Sequence, residues 1–214
     1  LGIGVWYVID QTVTDLFELE GDSSSCWSIN DFLMARAKAG NEHCKRVIAF
    51  MRQYGINQGA AISLMAGESA SSGNALKKVK QGTFYVSKDL SHATLVGELV
   101  SFCRSHGAAC AGATGFVNAL SSVARVPEFD PAVFRSRVGK MPSLLAKQAT
   151  SKSYLEIIEE VYNYAAKGKR LPLAFRAAEV GRERKASFGG KNSRGIGNER
   201  AAQTSGSRGR EVNA

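Results

Sequence analysis

The fold is decided above all by residues 57–86, whose sequence is NQGAAISLMAGESASSGNALKKVKQGTFYV. Residues 59–66 carry apolar side chains at helical spacing, and residues 73–81 place Leu76 and Val79 on one side and lysines on the other. Small polar residues separate these two parts, and Gly82 is a typical helix end. The pattern predicts two short helices around a tight turn, followed by a short strand over residues 83–86.

The second predicted helix has the composition of a helix that binds nucleic acid. A recognition helix needs an apolar side against its partner helix and a polar, basic side that meets base edges and phosphates. We expect the second role to be filled by Ser71, Ser72, Asn74, Lys77, Lys78 and Lys80. Two interpretations stay open beside DNA binding, namely an ordinary helical hairpin with a solvated lysine face, and binding of RNA or another partner.

Composition and charge fit a folded protein with a polyanionic partner. The 214 residues are 44% hydrophobic and 22% charged, which is ordinary for a globular chain. The formal net charge is +9, and the segment from Arg176 onward contributes +5, with nine Lys and Arg against four Asp and Glu. A positive excess of this kind favours nucleic acid or another polyanion as a partner, and a solvated basic surface is the alternative.

The cysteines and the apolar runs point to a cytoplasmic protein. Cys26, Cys44, Cys103 and Cys110 are too sparse for a disulfide framework, and no secretory signal precedes them, so free thiols are expected. No apolar run reaches the ~18 residues that a membrane span needs, so no membrane partner is expected. A start at Leu1 instead of methionine is compatible with a fragment whose upstream domain is missing.

Start and stop signals along the chain predict a mainly α-helical bundle with one or two short strands. The predicted helix starts are Ser28 with Asp31, Asn41, Ser91, and Asp130 with Pro131. The predicted ends are Gly40, Gly55, Gly82, Gly107 and Gly168. Further helices are predicted over residues 13–19, 115–125 and 151–166, and a buried strand over residues 5–9.

The chain is predicted to have four parts. Residues 1–56 are the end of a possible upstream core with connecting helices, 57–90 the helix-turn-helix-like unit, 91–175 a helical domain, and 176–214 a basic disordered tail. The tail is rich in Gly, Ser, Arg and Asn, so it cannot bury enough surface to offset its ordering entropy. A frayed helix over residues 176–185 is expected at its start. Its arginines either add loose phosphate contacts or only solubilise the chain.

Two other clusters contain residue types that can carry chemistry. Cys103, His106 and Cys110 can approach one another, but a structural zinc site normally needs four ligands, so core cysteines with a histidine at a helix end are the better interpretation. The glutamates of residues 156–160 form an acidic helix face with no matching cluster, which predicts solvation rather than a hydrolytic metal site. The sequence therefore predicts no catalytic residue, no metal and no cofactor, and enzyme activity stays uncertain.

Two blocks resemble ParB-like proteins of phages and mobile elements, whose nuclease-like core often carries a DGQHR-type motif. In residues 14–40, TDLFELEGDSSSCWSINDFLMARAKAG, the matching residues are Leu16, Phe17, Asp31, Phe32, Ala35, Ala39 and Gly40. Residues 95–163 contain the other matches, VPEFDPAVF at 126–134 and YLEIIEEVYN at 154–163. The core itself is missing, with residues 5–10 at most its last strand, so no nuclease activity is carried onto this chain. The resemblance implies a DNA-associated, cytoplasmic, helical region C-terminal to that core.

The sequence thus predicts a helical DNA-binding module. Contacts from Lys77, Lys78 and Lys80 to three phosphates predict a slope of about −3 for log affinity against log salt. Two alternatives remain, namely a protein-interaction or homo-oligomerisation module, and a non-catalytic fragment of an enzyme whose active site lies upstream.

Overall fold

The structure is a computed structural model that describes residues 27–68, 73–166 and 170–189, with side chains in the last segment described only as far as Arg182. Its α-helices, in chain order, are α1 Ile29–Lys38, α2 Glu42–Tyr54, α3 Gln58–Met65, α4 Asn74–Gln81, α5 Ser91–Ser105, α6 Thr114–Val123, α7 Pro131–Val138, α8 Ser151–Tyr162 and α9 Leu173–Gly189. A 3-10 turn, Pro142–Leu144, lies between α7 and α8. The predicted mainly helical fold is confirmed. The predicted strand over residues 5–9 and helix over residues 13–19 lie outside the described residues.

The helices pack around a shared core. The chain divides into two compact units, Leu1–Gly181 and Arg182–Ala214. In the described part of the first unit, buried apolar residues from every α-helix belong to one hydrophobic cluster. Helix α6 packs against α8, α5 and α3, while α4 packs against α1 and α3. Only the end of α9 is described for the second unit, and the predicted division into four parts stays a prediction.

Side-chain caps fix several helix starts where the sequence predicted them. Ser28 and Asp31 form a capping box, in which the Ser28 N–H donates to Asp31 Oδ2 at 2.9 Å and the Asp31 N–H donates to Ser28 Oγ at 3.3 Å. Hydrogen bonds from Ser28 lower the pKa of Asp31. Asn41 caps α2, and Asp130 caps α7 with Pro131 at its first position. These predicted starts are confirmed.

Three predicted boundaries differ from the structure by three or more residues or in the capping residue. Helix α5 is preceded by Leu90 at its N-cap, so Ser91 is its first residue, and the Ser91 N–H donates to Asp89 Oδ1 at 2.9 Å. Helix α8 ends at Tyr162 and not at residue 166, because Asn163 bonds back to the last turn and across to Leu171. Helix α9 begins at Leu173 and occupies the first part of the predicted tail, the rest of which lies outside the described residues.

The segment after α4 is irregular, so the strand predicted over residues 83–86 is wrong. We call residues 83–87 the strap. Phe84 and Val86 are buried and Tyr85 between them is exposed, which is the predicted alternation. No strand pairs with it within the described residues. Instead, the Val86 N–H donates to His43 Nδ1 at 3.2 Å, and the Ser87 N–H donates to the Met65 carbonyl at 2.7 Å. The strap is therefore fixed to α2 and α3 and not to a sheet.

Candidate nucleic-acid interface

Helix α4 lies at the surface with its apolar side fixed to the core. Ala75 and Val79 are buried, and the half-buried Leu76 packs against the core beside them. The N-cap is Gly73, which has a φ of 63° and, as a glycine, offers no side-chain cap. Since one side of the helix packs on α1 and α3, its polar residues are left on the opposite side.

Arg36 of α1 fixes the far end of α4. Its Nη2 donates to the backbone oxygen of Lys80 at 3.2 Å, where a positive charge also suits the C-terminal end of a helix dipole. Gly82 follows with a φ of 75°, and a Cβ at this position would lie 2.7 Å from Arg36 Cζ. The left-handed backbone therefore favours glycine here, and any larger residue would also displace the guanidinium at the end of the Arg36 side chain.

The three lysines of α4 have different surroundings. Lys77 and Lys80 are exposed, and neither belongs to an ion pair among the described residues. Lys78 is half-buried, and its Nζ lies 2.6 Å from Glu68 Oε1. The hydrogen bond to Glu68 raises the pKa of Lys78. The charge of Lys78 is thus balanced by a carboxylate of the same chain.

Aromatic side chains adjoin two of these lysines. The Nζ of Lys78 lies 5.3 Å from the ring centroid of Tyr85, and the Nζ of Lys80 lies 5.8 Å from that of Phe32. Both distances fall within the range of cation–π attraction. The Phe32 ring is in turn 5.4 Å from the ring of Trp27, which is partly exposed. The lysine side of α4 is therefore bordered by aromatic rings.

Four of the six candidate residues lie on α4, as the sequence predicted, namely Asn74, Lys77, Lys78 and Lys80. Asn74 is exposed in the first turn of the helix. Ser71 and Ser72 lie outside the described residues. We call Asn74, the three lysines and Tyr85 the α4 surface. It joins the hydrogen-bonding and cationic groups of α4 with the aromatic ring of Tyr85 on the strap, which is the chemistry that contacts bases and phosphates.

Three residues that shape this surface were not predicted from the sequence. Tyr85 carried a usable signal, since a tyrosine between two apolar residues in strict alternation is expected to face solvent. Glu68 and Arg36 carried none, because their partners are 10 and 44 residues away and no local pattern marks them.

The cysteine–histidine cluster does not form a metal site. Cys103 and Cys110 are both fully buried, and burial raises the pKa of Cys103 to about 12 and that of Cys110 to about 11. His106 follows the end of α5, with its ring centroid 4.1 Å from that of Phe102. No group of three His, Cys, Asp or Glu residues able to hold a metal occurs in the part of the chain that the structure describes. The predicted core cysteines are confirmed.

The acidic face of α8 is only partly solvated. Glu156 and Glu160 are exposed, as expected. Glu159 instead is half-buried, and its Oε2 accepts a hydrogen bond of 2.8 Å from the N–H of Ala174 at the start of α9. A carboxylate in this position stabilises the N-terminal end of a helix. One of the three glutamates thus has a structural role that its sequence context did not indicate.

Comparison with known proteins found no match, whether among family models, curated proteins or solved structures. The ParB-like relationship therefore stays a prediction that rests on the residues quoted above. Among the helices that the structure describes, none is both long and apolar enough to cross a membrane.

Proposed function

We propose that this chain binds DNA through the α4 surface. The observation that carries the proposal is the exposure of Lys77 and Lys80 on a helix whose other side is fixed to the core. In this mode the first turn of α4 enters the major groove, where an amide such as that of Asn74 can bond a base edge. The lysines neutralise phosphates, and Ser71 and Ser72 remain expected contacts in the preceding turn.

The ion pair of Lys78 changes the expected salt dependence. Each neutralised phosphate contributes about −0.9 to the slope of log affinity against log salt. Because Glu68 already balances Lys78, only Lys77 and Lys80 are available without breaking an ion pair. The expected slope for the α4 surface is therefore about −2, shallower than the −3 predicted when all three lysines were counted.

The test is fluorescence polarisation with a labelled blunt duplex at several salt concentrations. We expect the double variant Lys77→Ala with Lys80→Ala to weaken binding and to flatten the slope by about two. The matched control is Lys140→Ala with Lys147→Ala, which removes the same charge from two exposed lysines outside α4. Equal losses in the two double variants would mean that binding follows total charge and not the α4 surface.

Replacing Glu68 tests the role of the ion pair. Glu68→Gln removes the carboxylate charge and frees Lys78 for a phosphate, so binding should tighten and the slope should steepen by about 0.9. An unchanged slope would exclude Lys78 from the interface. If no variant alters DNA binding while sedimentation shows self-association, the alternative of an oligomerisation module is favoured.

The proposal extends to a ParB-like relationship, a phage or mobile-element origin and a cytoplasmic location. The support for the location is that Cys44, Cys103 and Cys110 are free thiols, as expected in a reducing compartment. The support for the relationship is the pair of resembling blocks. An in-frame DGQHR-like core in the gene upstream of Leu1 would test it directly.

A further inference from the structure

We propose that Tyr85 is a base-stacking residue, so that the α4 surface prefers DNA with an unpaired segment over a fully paired duplex. This inference rests on the proposed DNA binding and names the form of DNA that the same surface takes. Its basis is that Tyr85 is 59% exposed and that Lys78 of α4 lies over one face of its ring.

The backbone that carries Tyr85 is fixed on both sides. The neighbouring side chains of Phe84 and Val86 are 3% and 5% exposed, so they anchor the strap in the core. On the C-terminal side of Tyr85, the Val86 N–H donates a hydrogen bond to His43 Nδ1, and the Ser87 N–H donates one to the Met65 carbonyl oxygen. The ring is therefore presented to solvent on ordered backbone, and stacking on it costs little additional conformational entropy.

The charge beside the ring suits a nucleotide. Lys78, which is paired with Glu68, lies over one face of the Tyr85 ring, 5.3 Å from its centroid, so the base stacks on the opposite face and brings its phosphate towards the basic side of α4. Aromatic platforms combined with cations are how single-stranded nucleic acid is bound without sequence preference, because every base has a π face. In a fully paired duplex those faces are covered by neighbouring base pairs. The surface therefore fits an unpaired base better than a paired one.

Tyr164 provides a comparison within the chain. It is also an exposed tyrosine, at 39%, but no cation lies over its ring among the described residues. It also follows the acidic helix α8 and not a basic one. Both tyrosines are thus exposed, but within the described ranges only Tyr85 of the two has a lysine over its ring.

The experiment compares a blunt duplex with the same duplex carrying a single-stranded overhang, titrated against the full chain. We expect wild type to bind the overhang substrate roughly tenfold more tightly, as one stacked base provides. Tyr85→Ala should lose this preference, so that its affinities for the two substrates become equal. Tyr85→Phe, which retains an aromatic ring, and Tyr164→Ala should both keep the preference. Circular dichroism of each variant checks that the helices are intact.

The outcomes separate this inference from the proposed function. Equal affinity of wild type for both substrates, or an unchanged preference in Tyr85→Ala, overturns stacking while leaving duplex binding through the lysines in place. If the overhang preference depends on Tyr85 but Lys77→Ala with Lys80→Ala binds normally, stacking stands and the lysine-based proposal fails. Absence of binding to either substrate overturns both.

Discussion

Helices α4 and α8 both have an apolar side in the core and a charged outer side, but they use their charges differently. In α8, Glu159 caps α9, and the buried Asn163 just after the helix holds Leu171. In α4, Lys77 and Lys80 are exposed, and only Lys78 is in an ion pair. A charged helix face therefore points to a partner only after the structural roles of its side chains have been identified.

Of the substitutions that compare the two helices, we expect the one at Asn163, just after α8, to lower the free energy of unfolding most. Its Nδ2 donates to the carbonyls of Glu159 and Leu171 at 3.0 and 2.9 Å, and its Oδ1 accepts from the Leu171 N–H at 2.9 Å. Asn163→Leu leaves these backbone groups without their partner, so the free energy of unfolding should fall by about 2–4 kcal/mol in urea denaturation. Asn30→Leu, at an exposed position of α1, is the control and should change it by less than about 1 kcal/mol. A similar cost in both variants would contradict the structural role of Asn163.

The end of α4 should show the next largest effect. Gly82→Ala forces a side chain into a left-handed backbone, which costs about 1–2 kcal/mol, and displaces the Arg36 guanidinium as well. Gly73→Ala has the backbone cost alone, since no described atom lies within 4 Å of its added Cβ. The difference between the two variants in thermal or urea unfolding measures the Arg36 contact. Equal destabilisation would mean that Arg36 moves away at no cost.

A smaller effect is expected for the glutamates of α8. Glu159→Ala removes the cap from the Ala174 N–H and should lower the free energy of unfolding by about 1 kcal/mol. Glu160→Ala removes the same charge from an exposed neighbour and should change it by less than about 0.5 kcal/mol. If the two variants have the same free energy of unfolding, Glu159 has no more of a structural role than the exposed lysines of α4.

The smallest effect on stability is expected at Lys77. Since its side chain is exposed and alanine is a good helix former, Lys77→Ala should leave the free energy of unfolding within about 0.5 kcal/mol of wild type. The same variant should still weaken DNA binding. A loss of more than about 1 kcal/mol in urea denaturation would show that Lys77 has a structural role and would remove the contrast with α8.

Helix boundaries were predictable where their cause is local. The caps formed by Ser28, Asn41 and Asp130 and the glycine end at Gly82 depend on residues within a few positions, so the sequence displays them directly. The early end of α8 was not predictable, because it depends on hydrogen bonds between Asn163 and Leu171 across a connection whose path the sequence does not reveal.

The candidate site was predictable in part for the same reason. Helical periodicity places Val79 inside and Lys77 outside, and the structure agrees. The ion pair of Lys78 with Glu68 depends on how the chain turns between α3 and α4, which spacing alone does not determine. The alternation over residues 83–86 was visible, but a strand also needs a partner, and no pattern within four residues can supply one.

The alternation of the strap also limits how this region can change in length. Because hydrogen bonds hold Val86 and Ser87, a single residue inserted between α4 and Tyr85 either bulges out of the strap or exchanges its inward and outward positions. Two inserted residues would restore the original order with a longer connection. Related genes should therefore tolerate insertions of two codons at this point more readily than insertions of one.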